Sequence, residues 1–272
     1  MSRIFITGSS EGLGLMAGQL LASQGHEVVL HARNAKRADD ARRALPQVAA
    51  VVVGDVSTIA GMREVAEQAD AYIGASRGGQ ADVPLDVAAF DAVIHNVAVG
   101  YREPRRITTA DGLPHLFAIN TLAPYLLTAL MRRPKRLIYL SSGMHHHVDA
   151  NLDDLLWTTR RWDGSTAYAE SKLHDAMLAF AMARHWPEVV SSALEPGWVP
   201  TRMGGRGAPD DMDLAHRTQA WLAVSEDAQA KRSGAYWFHQ RRLAPNPQAL
   251  DAALQDRLLA RCAEISGVAM PT

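Results

Sequence analysis

Arg3-Ile4-Phe5-Ile6-Thr7-Gly8-Ser9-Ser10-Glu11-Gly12-Leu13-Gly14 carries the chain from a short apolar run through a glycine-rich turn toward a segment containing Leu20 and Leu21. The run, bounded by glycine, reads as a buried strand, and the leucines beyond it as a helix. Glycines at such a junction let the backbone turn sharply and come close to a phosphate, while the first N–H groups of the helix face the anion. Gly8, Ser10, Glu11, Gly12, Leu13 and Gly14 therefore read as a cradle for the diphosphate of a dinucleotide. The alternative is a plain tight connection, and the position at the first strand-to-helix junction favours the cradle.

Working outward, the same alternation recurs. Residues 4–7, 28–30, 51–53, 93–95, 137–140 and 189–194 are strand candidates, with helical periods between them. A helix over 211–224, a strand over 235–237 and a closing helix over 247–265 complete the pattern. Residues 74–84 and 145–164 break the rhythm and read as loops or insertions. The expectation is an α/β protein: one domain over 1–272, a doubly wound Rossmann-type parallel sheet with helices on both faces. In such a sheet ligands bind beyond the carboxyl ends of the strands, where strand order reverses.

Composition narrows the class. Of 272 residues 47% are hydrophobic and 21% charged, which argues for an ordinary globular chain rather than a disordered one. With 28 basic and 29 acidic residues the net charge is -1, so no overall field draws the protein to nucleic acid or an anionic membrane. Arg105-Arg106, Arg132-Arg133 and Arg241-Arg242 are scattered pairs and read as solvated surface. Cys262 is the single cysteine, which excludes an intrachain disulfide and fits a reducing, cytoplasmic setting. No apolar stretch has the length of a signal peptide or a membrane span. His145-His146-His147 point to alternating faces if extended and have no carboxylate partners in a motif, so no metal site is expected.

Tyr168-Ala169-Glu170-Ser171-Lys172 places a phenol and an ammonium four residues apart, on one helix face about 6 Å apart along the axis. A cation beside a phenol favours the phenolate.

Taken with the first turn, Thr7-Gly8-x-x-x-Gly12-x-Gly14, this spacing resembles the short-chain dehydrogenase/reductase family. The resemblance continues through Asp55-Val56, Asn96-Val97-Ala98, Asn120, Ser141-Ser142, and Pro196-Gly197 with Val199 and Thr201, and so covers essentially the whole chain. The stretches 116–122 and 141–147 look like the retinol-dehydrogenase-like branch. The resemblance implies a nicotinamide cofactor and a carbonyl or alcohol substrate. It implies that Tyr168 exchanges the proton with its pKa lowered by Lys172 and oxidised nicotinamide, that Ser142 (or else Ser141) orients the substrate oxygen, and that Asn120 holds a relay water. It also implies that Asp55 and Val56 face adenine, that Lys172 binds the nicotinamide ribose, and that Asn96, Val97, Ala98, Pro196, Gly197, Val199 and Thr201 line the cofactor. Asn120 bonded only to backbone inside a helix is the alternative for that residue.

The pattern departs from the family in places. Val97-Ala98 stands where Asn is usually followed by Ala-Gly, putting side chains where glycine lets the ribose approach. No acid follows the second strand; Arg33 does, and a guanidinium there can pair a 2′-phosphate, which favours NADP over NAD. Stacking on adenine would instead leave Arg33 indifferent to the phosphate, and Glu11 stands where users of the phosphorylated cofactor often carry a basic residue. The loops 145–164 and 197–215, with Trp198 and Met203, are expected to wall an apolar substrate pocket. A non-catalytic dinucleotide sensor or scaffold is the alternative class, opposed by intact Ser142, Tyr168 and Lys172. A sugar-nucleotide epimerase fits less well, since the tail is short. Apolar residues on the helices starting near Asp111 and Ser165 read as either core or the face of a homo-oligomer.

Overall fold

The computed structural model describes residues 1–75 and 89–272. Eight strands form one sheet in the order β3-β2-β1-β4-β5-β6-β7-β8. They are β1 (Arg3–Ile6), β2 (Glu27–Ala32), β3 (Ala50–Val53), β4 (Ala92–His95), β5 (Arg136–Leu140), β6 (Val190–Glu195), β7 (Ala235–Phe238) and β8 (Arg241–Leu243). All neighbours pair parallel except β7 with β8. The order reverses between β1 and β4, as a doubly wound sheet requires.

Alternation along each strand feeds two cores. Ile4 and Ile6 pack with Ala17 and Leu21 of α1 (Gly12–Ser23), Ala38 and Ala41 of α2 (Ala35–Ala44) and Leu222 of α8 (Arg217–Val224). Phe5, between them, joins the opposite face with Met62 and Val65 of α3 (Ile59–Ala75), Leu126 of α5 (Ala123–Leu130), Met177 of α6 (Gly164–His185) and Leu258 of α9 (Ala252–Ser266). Period-2 strands sandwiched by helices thus bury both of their faces.

Several boundaries differ from expectation. The helix expected over 211–224 is two, α7 (Met212–Ala215) and α8, with His216 between them. Strand β8 escapes pattern reading because Arg241, Arg242 and Leu243 are all exposed. It forms through a two-residue turn in which His239 and Gln240 take positive φ (46° and 61°), the geometry that matches strand twist in a hairpin. The expected loop 74–84 lies outside the described residues from 76 on, and Gly74 belongs to α3. The 145–164 insertion holds two 3-10 turns, Gly143–His147 and Leu152–Asp154.

From Ala167 to Met182 every residue of α6 is buried. Helix α9 packs along it, so the Ala, Leu and Met side chains considered for a subunit face are core. Among the described residues no helix is long and apolar enough to cross a membrane.

Burial leaves several imidazoles neutral. His95 is pushed down to about 3, and His145 and His174 to about 4, each mainly by desolvation. Their folded values lie below the unfolded 6.5, so the unfolded state binds protons first as pH falls. The stabilisation is complete above about 6.5 and is lost on acidification, by up to about 1.4 kcal/mol per pH unit for each ring; Asp175, shifted upward, acts with the opposite sign. The unfolding midpoint is expected to fall between about pH 6.5 and about pH 5 while imidazole NMR shows these rings neutral in the folded protein. Charged rings at about pH 5 would contradict the burial assigned to them.

Candidate active site

The parallel order places the ends of β1, β4, β5 and β6 side by side. At the β1 end Gly8 and Gly12 take φ of 59° and 61°. A Cβ on Gly8 would lie 2.7 Å from the Val97 Cα, and one on Gly14 2.4 Å from the Asn96 Nδ2, so neither position has room for a side chain. Asn96 Nδ2 donates to the carbonyls of Thr7 (3.1 Å) and Gly8 (3.0 Å), while Thr7 Oγ1 accepts from the N–H groups of Asn96 and Val97. These bonds stitch β1 to β4 where strand order reverses.

His31, at the end of β2, supports the turn from beneath. Its Nδ1 accepts the Gly8 N–H (3.0 Å) and its Nε2 donates to Gly54 O (2.9 Å). This arrangement needs a neutral ring, and burial lowers the His31 pKa accordingly. Helix α1 then begins at Glu11, whose side chain does not cap it, and its first turn carries no acid. Among the described residues no side chain accepts from the first-turn N–H groups, and the adjoining glycines have no Cβ, which fits a diphosphate.

Glu11 turns its carboxylate to two arginines, Arg37 (3.0 Å) at the start of α2 and Arg202 (3.0 Å) in the loop after β6. Its charge is therefore offset. Arg33 is exposed beside this cluster in sequence, at the end of β2. Just after β3, Asp55 Oδ1 accepts the Ser57 N–H (2.9 Å) and the Val56 side chain is part of the core.

The four residues assigned to chemistry meet beyond β5. A π turn, Ala118–Leu122, links α4 (His115–Phe117) to α5 and presents Asn120, whose side chain accepts from Val99 N (2.8 Å) and donates to Val99 O (3.1 Å) and Ser171 Oγ (3.0 Å). Among the described residues no hydrogen bond joins it to Lys172 directly; the side chain fixes the loop after β4 through Val99 and reaches α6 through Ser171. Ser142 caps the 3-10 turn by accepting from Met144 N (3.3 Å), and its hydroxyl is near enough to the Tyr168 phenol to favour the phenolate. Ser141 is turned away: its Oγ donates to Lys172 O at 2.7 Å. Of the two serines, Ser142 faces Tyr168.

The expected lowering of the Tyr168 pKa is not found. Burial raises it, and although Lys172 and Ser142 pull down, Asp175 and Tyr101 push up. Burial is the main cause, and Lys172 offsets it only in part: its Nζ sits 5.7 Å from the Tyr168 ring centre but donates to Leu140 O and to Asp175 Oδ2, both at 2.8 Å. Part of its charge is neutralised by that carboxylate before it reaches the phenol.

Around the Tyr168 ring the surface is aromatic. Tyr101 meets it edge-on at 5.7 Å, and Leu116, Trp157 and Ala167 pack with it beside the partly buried Met144, Trp162 and Met203. The insertion is pinned there rather than loose: Arg160 lies 3.9 Å above the Trp157 ring and pairs with Asp154 and with Glu170 of α6. His145 is buried too, with Nδ1 donating to Ser142 O (2.8 Å) and Nε2 accepting from Asn246 N (3.1 Å), so it is not a solvated loop imidazole. In the loop after β6, Gly197 has φ 86°, and a Cβ there would lie 2.7 Å from Asp210 Oδ2, which accepts the Trp198 N–H. Trp198 itself is 55% exposed and so does not belong to the core.

The structure thus brings together Asn120, Ser142, Tyr168 and Lys172, with Gly8–Gly14, Asn96–Ala98 and Pro196–Thr201 following adjacent strand ends; Arg33 and Asp55 stand apart, just beyond the ends of β2 and β3. Sequence reading missed Tyr101, Arg37, Arg202 and Asp175. Only Asp175 left a local signal, three residues beyond Lys172 on the same helix.

Comparison with known proteins agrees with this geometry. Residues 2–138 match the sequence profile of the short chain dehydrogenase family. An uncharacterized oxidoreductase of Emericella nidulans is 42% identical over 275 residues, covering 100% of this chain and 99% of that protein. The chain belongs to the short-chain dehydrogenase/reductase family, a family of NAD(P)-dependent oxidoreductases. Retinol dehydrogenase 13 of Mus musculus, 27% identical over 299 residues and covering 98% of this chain and 84% of its own, supports the retinol-dehydrogenase-like branch. A solved structure of an uncharacterized protein from Mycobacterium paratuberculosis superposes with a TM-score of 0.82 at 21% identity, over 100% of this chain and 96% of that one, and shows the same fold.

Proposed function

We propose that this chain is an NADP-preferring carbonyl reductase of the cytoplasm, with Tyr168 as proton donor, Ser142 orienting the substrate oxygen and Lys172 stabilising the phenolate that is left. The observation that carries it is the burial of the Tyr168 phenol next to Ser142 and beneath an aromatic pocket, with the Lys172 ammonium 5.7 Å from its ring centre. Reduced nicotinamide, when bound, supplies the hydride. Tyr168 gives its proton to the carbonyl oxygen as negative charge develops there, and the Ser142 hydroxyl donates a hydrogen bond to the same atom. Backbone groups of Gly8, Ser10, Glu11, Gly12, Leu13 and Gly14 would hold the diphosphate, Asp55 and Val56 the adenine, Asn96, Val97, Ala98 and Lys172 the riboses, and Pro196, Gly197, Val199 and Thr201 the nicotinamide side.

Met203, Met144, Trp162 and Tyr101 suit an apolar, planar substrate, since polarizable sulfur and aromatic faces both pack well on rings. Tyr168→Phe keeps the ring and removes the proton. Carbonyl reduction should fall at least about 10²-fold in kcat/KM with cofactor affinity little changed, whereas near-normal turnover would reject the role.

Cofactor preference rests on Arg33, with Arg37 close to the same helix start and Glu11 already neutralised. Arg33→Ala should weaken NADPH binding by about one to two powers of ten more than NADH binding, because a charge-assisted bond of roughly 1.5–3 kcal/mol to the 2′-phosphate is lost. Calorimetric titration of both dinucleotides checks this, and an equal loss for the two would mean that Arg33 only stacks on adenine.

A further inference from the structure

The Lys172 ammonium is held inside the protein by a carboxylate that the reaction as described does not require. Lys172 and Asp175 side chains are 3% and 2% exposed, and Nζ lies 2.8 Å from Oδ2. The other carboxylate oxygen, Oδ1, has no hydrogen-bond partner among the described residues. An ion pair this deep is costly to desolvate, and a carboxylate with one oxygen unsatisfied adds little to stability. Its position suggests a different role. It takes one N–H of the ammonium, Leu140 O takes another, and the cation is thereby fixed at 5.7 Å from the Tyr168 ring centre.

We propose that Asp175 is a positioning residue for proton transfer: by anchoring Lys172 and offsetting its charge it keeps Tyr168 a protonated phenol, which sets the site for carbonyl reduction over alcohol oxidation. The inference rests on Tyr168 being the proton donor.

The groups facing the phenol are consistent with it. On α6 they are Lys172 and Asp175, from β5 Ser142, from the loop after β4 Tyr101, and from β7 Tyr236. Facing Asp175 from the sheet are Tyr139 and Tyr236, both raised by burial and so neutral, with the neutral His95 ring stacked on Tyr139 at 4.7 Å. Glu195 lies beyond Tyr236 and also opposes ionisation there. Burial lifts Asp175 to about 7 against the pull of Lys172, so above neutral pH, where Tyr168 titrates, the pair carries a carboxylate.

The test is the pH dependence of kcat/KM in both directions for wild type, Asp175→Asn and Asp175→Glu. With the carboxylate charge removed, the full ammonium charge acts on Tyr168. The alkaline limb of carbonyl reduction and the acid limb of alcohol oxidation should then both move down by about one pH unit or more. Asp175→Glu should keep the wild-type limbs. Should Asp175→Asn not fold, Asp175→Ser, which leaves room for a water beside the ammonium, is expected to shift the limbs in the same way. Limbs that stay in place while the rate drops uniformly would make Asp175 a structural residue only and overturn the inference. If Tyr168→Phe is inactive but the limbs do not move, this inference alone falls. If Tyr168→Phe is fully active, the proton-donor assignment falls and takes this inference with it.

Discussion

A helix buried on every side has to neutralise its charges within the protein, and α6 is such a helix from Ala167 to Met182. Its charged groups do not point to water as those of an amphipathic helix would. Glu170 pairs with Arg160 of the insertion, His174 lies between Thr121 and Ala150 O, and Lys172 pairs with Asp175. Each of these bonds ties a different segment to the helix. The insertion is held down by Glu170, the π turn by His174 and Ser171, and the end of β5 by the backbone and side chain of Lys172. Tyr168, on the same helix, is positioned by everything that satisfies its neighbours.

The second constraint is the reversal of strand order between β1 and β4. Adjacent strand ends diverge into helices on opposite faces there, and the gap is closed by Thr7, Gly8 and Asn96 rather than by apolar packing. Val97, which replaces the small residue expected after Asn96, lies so close to Gly8 that the turn cannot accept a Cβ. Glu11 extends the connection outward to Arg37 and Arg202, so the start of α1, the start of α2 and the loop after β6 share one exposed charge cluster. Such exposed pairs contribute little stability. Their importance lies in charge: they leave the cofactor side of the turn without an unmatched anion.

Much of this was legible in the sequence because it is local. Short β-branched runs marked β1 to β6, glycine positions marked the first turn, and the spacing of Tyr168 and Lys172 marked one helix face. What stayed hidden depends on tertiary contacts. Arg37 and Glu11 are 26 residues apart and Arg202 a further 165, and no periodicity links them. The π turn at Asn120 follows from side-chain bonding to Val99, not from propensity. The lowering of the Tyr168 pKa was expected from Lys172 together with oxidised nicotinamide, and in the protein alone Lys172 does not achieve it. Burial of the phenol, and a carboxylate one helical turn beyond the lysine, reverse the sign.

Transfer of hydride from a bound dinucleotide to a carbonyl carbon, and of a proton from Tyr168 to its oxygen, is the reaction proposed for the centre formed by Ser142, Tyr168 and Lys172. It is tested most directly by supplying reduced NADP deuterated at the transferable nicotinamide position with a set of aromatic aldehydes and ketones, and locating the label by mass spectrometry and NMR. Deuterium is expected on the carbinol carbon of at least one product, on a single face when the carbon is prochiral. A dinucleotide that binds to the protein but leaves no label in any carbinol would contradict it.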